Sequence, residues 1–198
     1  WFRAGPRLAG AIVLAVLLLA SGRSLYALVV TPFASHELYR QQYLMGRFAR
    51  EILRAPVAVN DLGLVAFRNP HFVLDLCGLG SPEVLKALES FPGMAWADTL
   101  CRRHDVGVAM IYDSWFPLRP TSWKRVGVLR LAVTPDVPAS GALAMLVRFA
   151  HRRAGSTIVV GGDRVSFYAG RPEDESRVRE SLERFRPLLV EGAELLLE

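Results

Sequence analysis

Cysteine and histidine are scarce in these 198 residues: two Cys and four His. That is too few for a Cys/His metal cage or a disulfide scaffold. Lysine is nearly missing, since only Lys86 and Lys124 break a run of arginines. No acidic residue occurs before Thr31, where Arg3, Arg7 and Arg23 stand alone. The excess of basic over acidic residues, 24 against 19, therefore gathers beside the amino-terminal segment. From Thr31 onward 21 basic residues face 19 acidic ones, interspersed. A nucleic-acid domain carries its positive excess on the folded part, so nucleic acid is set aside as a partner. Apolar residues at 52% and charged residues at 22% exclude a disordered chain. There is no internal repeat and no long linker.

Leu8–Ala20 is thirteen residues without a charge, and Leu25–Val30 resumes the pattern after Ser21-Gly22-Arg23-Ser24. As one helix, Leu8–Val30 rises about 34 Å, enough for the ~30 Å hydrocarbon core, with Arg23 snorkelling at the outer interface. Trp1, Phe2 and Tyr26 are interfacial aromatics. Arg3 and Arg7 favour a cytoplasmic start, which sends everything after residue 31 to the extracytoplasmic side. A cleaved signal peptide and a buried core helix are the competing readings. The chain begins with Trp1, not Met, and its apolar pattern continues past the small residues Ala20-Ser21-Gly22. Both points favour a transmembrane helix over residues 1–30, the trailing helix of a longer protein.

Phe33–Arg54 reads as an amphipathic juxtamembrane helix within a segment spanning 31–55. Leu38, Met45 and Ile52 recur every seven residues, and Arg40, Arg47 and Arg54 recur opposite them. The arginines form either a solvated face or a surface for lipid phosphates, whose geometry suits guanidinium. Residues 56–198 alternate strand-like and helix-like segments. Val57–Asn60, Phe72–Leu76, Val106–Tyr112 and Trp123–Val133 are strands, and Thr157–Val160 with Val165–Tyr168 flanks a Gly-Gly-Asp turn. Helices are expected after Ser81-Pro82-Glu83, over Met94–His104, around Leu143–Ala150, and from Glu173 to Arg186. The fold class is α/β: one mixed-sheet layer domain preceded by a single transmembrane helix.

Candidate chemistry gathers at turns. Asp61 and Asp75 stand where a strand gives way to a glycine-bearing turn, with Gly63, Gly78 and Gly80 in those turns. Were the strands parallel neighbours, both carboxylates would share the sheet edge where α/β folds bind ligands. The alternative is that each carboxylate caps its own turn. Gly78-Leu79-Gly80 before a helix lacks the third glycine of a nucleotide fingerprint, so a soluble nucleotide enzyme is disfavoured. Asp113-Ser114-Trp115 follows a strand; Trp115 either covers the core, stacks on a sugar or dips into a membrane interface. Cys77 and Cys101 are either paired or free thiols. The histidines show no ligand spacing, and no metal set is present.

Five segments carry a resemblance: Leu38-Tyr-Arg-Gln-Gln-Tyr43, Val57-Ala-Val-Asn-Asp-Leu-Gly63, Val73-Leu-Asp-Leu-Cys-Gly-Leu-Gly80, Ala109-Met-Ile-Tyr-Asp113 and Val165-Ser-Phe-Tyr-Ala169. Their order resembles the carboxy-terminal extracytoplasmic part of bacterial GT-C type membrane glycosyltransferases, of the mannosyltransferase-like kind. The second and third segments at their spacing are the most specific. The resemblance covers roughly Leu8 to Leu189. It implies residence in the bacterial plasma membrane, a polyprenyl-phosphate-linked sugar donor, a glycan or lipid acceptor, and contact with membrane lipid. It also implies that the catalytic acid lies in an earlier outward loop, so no catalytic residue is assigned in this fragment. No cofactor is assigned to this part, and whether the parent enzyme takes a divalent metal is left open. The other reading is a singly anchored or secreted binding module without activity.

Overall fold

A computed structural model describes residues 5–91, 93–131 and 164–198. The helical spacing of Leu143–Ala150 and the arm Thr157–Val160 lie outside them. The described residues divide into two compact units: residues 5–35, and those from His36 onward.

The described backbone of the first unit is helical and belongs to α1 (Pro6–Leu38). Residues 8–18 are its longest stretch with every side chain described, and all are exposed. Leu8, Ile12, Val13, Leu14, Val16, Leu17 and Leu18 each leave more than half their surface uncovered. Among the described residues no helix is long and apolar enough to cross a membrane.

The second unit opens with helical backbone whose hydrogen-bond period changes twice. Tyr39–Tyr43 is π-helical, Leu44–Arg47 (α2) is α-helical, and Phe48–Leu53 is π-helical again. The Arg54 amide closes the last turn by donating to the Ala49 carbonyl at 3.0 Å, five residues back. Arg54 then takes left-handed φ/ψ and ends the helix. The helix expected over Phe33–Arg54 is helical backbone up to Leu53, but the arginine ridge expected at α-helical phase is corrected. The wider π turns rotate the seven-residue repeat off a single face. Arg40 is buried and occupies the space a side chain at Gly192 would need. Arg47 is half-buried and bonds Glu51 at 3.0 Å, while Arg54 is exposed and donates to the Glu51 carbonyl.

The sheet has six described strands in the order β2-β1-β3-β5-β4-β6. β1 (Val57–Val59), β2 (Val73–Asp75) and β3 (Val108–Ile111) run parallel, with Val59 beside both Asp75 and Met110. β1 and β3 are wholly buried, as parallel strands covered on both faces require. β5 (Arg164–Ala169) is antiparallel to β3 and to β4 (Lys124–Leu131), and β6 (Ala193–Leu197) pairs along β4. β4 is irregular between Arg125 and Gly127, where the register slips. Sequence reasoning did not anticipate β6. Its Glu and Leu are helix formers, and pairing with the β4 edge imposes the strand.

Two cores flank the sheet. One joins the Phe48 helix, the short α3 (Gly63–Ala66) and α6 (Glu175–Phe185), and the other joins α4 (Pro82–Ser90) and α5 (Ala95–Arg103) to the parallel half. Phe48 is fully buried, edge-on to Phe167 at 5.1 Å and to Phe185 at 5.4 Å. Such edge-to-face aromatics add to plain area burial. Phe48→Ala is expected to destabilise the fold by about 3–5 kcal/mol, read as a lowered denaturant midpoint.

Candidate functional site

Three parallel strands in register send their following loops off the same edge. β1 leads into Asn60 and Asp61, β2 ends on Asp75, and β3 leads into Tyr112 and Asp113. The sheet thus brings Asp61, Asp75 and Asp113 to one edge, with Trp115 two residues beyond. This is where open α/β sheets place ligands.

A residue that the motif reading passed over holds this edge together. Asn60 is buried; its Nδ2 donates to the Tyr112 carbonyl and its Oδ1 accepts from the Tyr112 amide, each at 3.0 Å. One side chain therefore satisfies both backbone groups of the residue that follows β3, tying the ends of β1 and β3. Its signals were its place between a strand and Asp61 and its membership of the Val57–Gly63 segment, neither of which gave it a role.

Asp75 is a structural carboxylate. It is buried; Oδ1 accepts from the Cys77 amide at 2.9 Å and Oδ2 from the Gly80 amide at 2.7 Å. Its own amide donates to Ser81 Oγ at 3.0 Å. Ser81 precedes α4 as expected, but its hydroxyl is spent on Asp75 and not on the helix amides, which use the Ser81 carbonyl instead. Gly78 has φ +82, so the turn needs glycine there. A side chain at Gly80 would strike Leu62, and one at Gly63 would strike Gln42.

Asp61 has a different environment. Gln42 donates Nε2 to its Oδ2, tying the π-helical segment to this edge. Burial raises the carboxyl above the usual carboxylate range, the Gln42 hydrogen bond opposes this, and the Asp75 charge adds to it. Tyr112 is fully buried with its hydroxyl 3.8 Å from Met45 Sδ; burial and then the Asp61 charge push its ionisation up.

Asp113 is half-buried and has three donors. Ser166 Oγ donates at 2.6 Å, Tyr168 Oη at 2.9 Å, and the Arg119 guanidinium at 2.9 Å. The carboxylate is fixed before any ligand arrives. Trp115 leaves half its surface exposed, tilted against Tyr112 at 5.2 Å between centroids, so it does not merely cover the core.

Cys77 and Cys101 are free thiols, the first exposed and the second buried. Cys77 Sγ donates to the Asn60 carbonyl at 3.1 Å, and burial with the charges of Asp75 and Asp61 pushes its ionisation up, away from a nucleophile's. Burial pushes Cys101 up to about 12. Among the described residues no three His, Cys, Asp or Glu side chains converge as a metal site would need.

The architecture is a mixed α/β domain whose parallel half presents a carboxylate-lined edge. The sequence model of the family described as "Domain of unknown function (DUF8728)" matches residues 34–168, about two thirds of the chain, and the chain belongs to that family. No curated protein and no solved structure matches.

Two expectations follow. The folded Asp61 binds a proton more readily than the unfolded one, so its ionisation opposes folding as pH rises from about 4 through its raised value. Asp61→Asn removes that term, and stability measured across this window should fall less steeply with rising pH than in the parent. Asp75→Ala leaves the Cys77 and Gly80 amides without their acceptor, and a loss of about 1–3 kcal/mol is expected in denaturant melts.

Proposed function

We propose that this chain is the extracytoplasmic module of a bacterial membrane glycosyltransferase that takes its sugar from a polyprenyl-phosphate donor. α1 anchors it in the plasma membrane as the last transmembrane helix. The α/β domain contacts the acceptor at its carboxylate edge and caps the membrane-embedded reaction centre. Transfer itself belongs to other parts of the enzyme, so no residue here is given a catalytic role.

The observation that carries this reading is the pairing of two features. One is a helix whose apolar side chains from Leu8 to Leu18 all lie exposed, a surface that hydrocarbon covers at no desolvation cost. The other is a sheet edge with a pre-fixed carboxylate, Asp113, two residues from a half-exposed indole. A carboxylate beside an aromatic plane suits a sugar: the acid accepts from hydroxyls and the ring packs on the apolar face of the pyranose. The order of segments from Leu38 to Ala169 agrees with the GT-C type tail.

A singly anchored binding module is the second reading. It is favoured by Asp75, whose oxygens both accept from backbone amides of its own turn, so that this carboxylate builds the loop.

Membranes containing the protein expressed from its own gene should transfer sugar from a polyprenyl-phosphate donor to glycan. Trp115→Ala should raise KM for the acceptor about tenfold and leave kcat and the melting temperature unchanged. Transfer that is absent under every donor, with glycan binding kept, favours the binding module. Unaltered KM in Trp115→Ala removes the indole from the site.

A further inference from the structure

α4 and α5 cover the parallel half of the sheet without closing fully against each other. Between them lies an open groove of about 540 Å³. That volume falls within the range of cavities that take up small ligands. The floor is apolar and buried: Ala87 is 8% exposed, and Trp96 and Leu100 are 5% each. The Trp96 indole Nε1 is buried there and has no hydrogen-bond partner. Buried indole N–H groups normally find an acceptor, so this one calls for an explanation.

The groove has two unlike ends. At one, Arg103 on α5 donates to Glu83 on α4 at 3.1 Å, bridging the helices. His104 pairs with the same carboxylate, so both oxygens of Glu83 are engaged. Lys86 follows Glu83 by about one helical turn; it is exposed and has no ion pair or hydrogen bond among the described residues. Glu83 is the one carboxylate among the described lining residues, so this end carries two cations and a single anion that is already held. At the other end Phe91, 62% exposed, stands with Ala95 beside the turn that joins the helices. The groove thus runs from a cationic end to an apolar one.

We infer that this groove binds a single-chain anionic amphiphile, its hydrocarbon lying over Ala87, Trp96 and Leu100 towards Phe91 and its carboxylate or phosphate at Lys86. The chain and the groove floor each lose apolar surface to water when they meet. The Lys86 ammonium meets the head as a compact point charge, and Arg103 at the same end adds to the field. An amphipathic helix of another protein also fits an apolar groove. The unanswered indole favours the smaller ligand: carboxylate and phosphate oxygens have lone pairs to spare, whereas the backbone oxygens of a docked helix are bonded within it. The groove is built by α4 and α5 and the turn between them, so the assignment holds whether or not the chain serves sugar transfer.

Photocrosslinking of the full chain in phosphatidylcholine nanodiscs tests this, with a diazirine-bearing decanoate as probe and mass spectrometry locating the adducts. Adducts should concentrate on Glu83–Phe91 and Ala95–Arg103. Decanoate or decyl phosphate should compete at least about tenfold more strongly than decanol, and the stronger of the two assigns the head as fatty carboxylate or lipid phosphate. Lys86→Gln should weaken competition by the anions about tenfold, as expected for loss of a charge-assisted contact, and leave decanol unchanged. Thr99→Trp, at an exposed position of the wall, should remove the adducts by filling the groove. Lys86 is exposed and bonded to no described residue, so Lys86→Gln carries the test even if Thr99→Trp melts early. Adducts confined to α1, where the probe partitions with bilayer lipid, overturn the inference. Decanol competing as well as both anions overturns it, as does competition that Lys86→Gln leaves intact. Displacement of the probe by a Leu/Glu amphipathic model helix but by neither anion also overturns it, placing a protein in the groove. Because adducts are read directly, a failure here is distinct from a failure of sugar transfer.

Discussion

The fold depends on the parallel pairing of β2, β1 and β3 and on the Asn60 clamp that finishes it. Parallel strands only three or four residues long make few ladder hydrogen bonds, so their ends are prone to splay. Asn60 counters this where it matters, answering both the donor and the acceptor of Tyr112 from within the core. With β1 and β3 locked at this end, Asp61 and Asp113 leave the sheet side by side, and Asp75 follows from the register of β2 on β1. The carboxylates reach one edge by topology, and their surroundings then assign them different work. Asp75 builds a turn, Asp61 bridges to Gln42, and Asp113 is aligned by a hydroxyl pair and an arginine.

The π-helical turns are the second constraint. They bring Arg40, Gln41 and Gln42 inside, where a regular α-helix of the same sequence would have set Arg40 on its wet face. Gln42 meets Asp61 as a result. Wider turns are often found at functional positions, and here they join the helical entry of the domain to the edge that carries its polar groups.

Much of this was legible from residue order. Short apolar runs marked β1, β2 and β3 as strands, with their parallel pairing left as a condition, and Ser-Pro-Glu marked the start of α4. Val178, Leu182 and Phe185 lie on the buried stripe of α6 as their spacing required. Gly78 needs positive φ, as the turn reading expected, and Asp75 caps its turn. Other features were not legible, for physical reasons. Periodicity assumes one helical phase, so the π turns defeated the arginine ridge. A five-residue edge strand of helix formers is fixed by its partner and not by its own propensity. A cross-strand pair such as Arg130 with Arg164 depends on register, which no local pattern encodes. Asn60 lies within the Val57–Gly63 segment, but its role could not be read there, because it satisfies a residue 52 positions away.

The proposed function reduces to one claim that we put forward for test: that the amino-terminal helix is embedded in the membrane and that the carboxylate edge lies outside the cytoplasm. Membrane-impermeant maleimide applied to intact cells tests it, with Cys77→Ser removing the exposed thiol and Ser114→Cys placing one beside Asp113. The account predicts labelling before lysis, at a level that lysis does not raise. Labelling that appears only once the membrane is broken would contradict it.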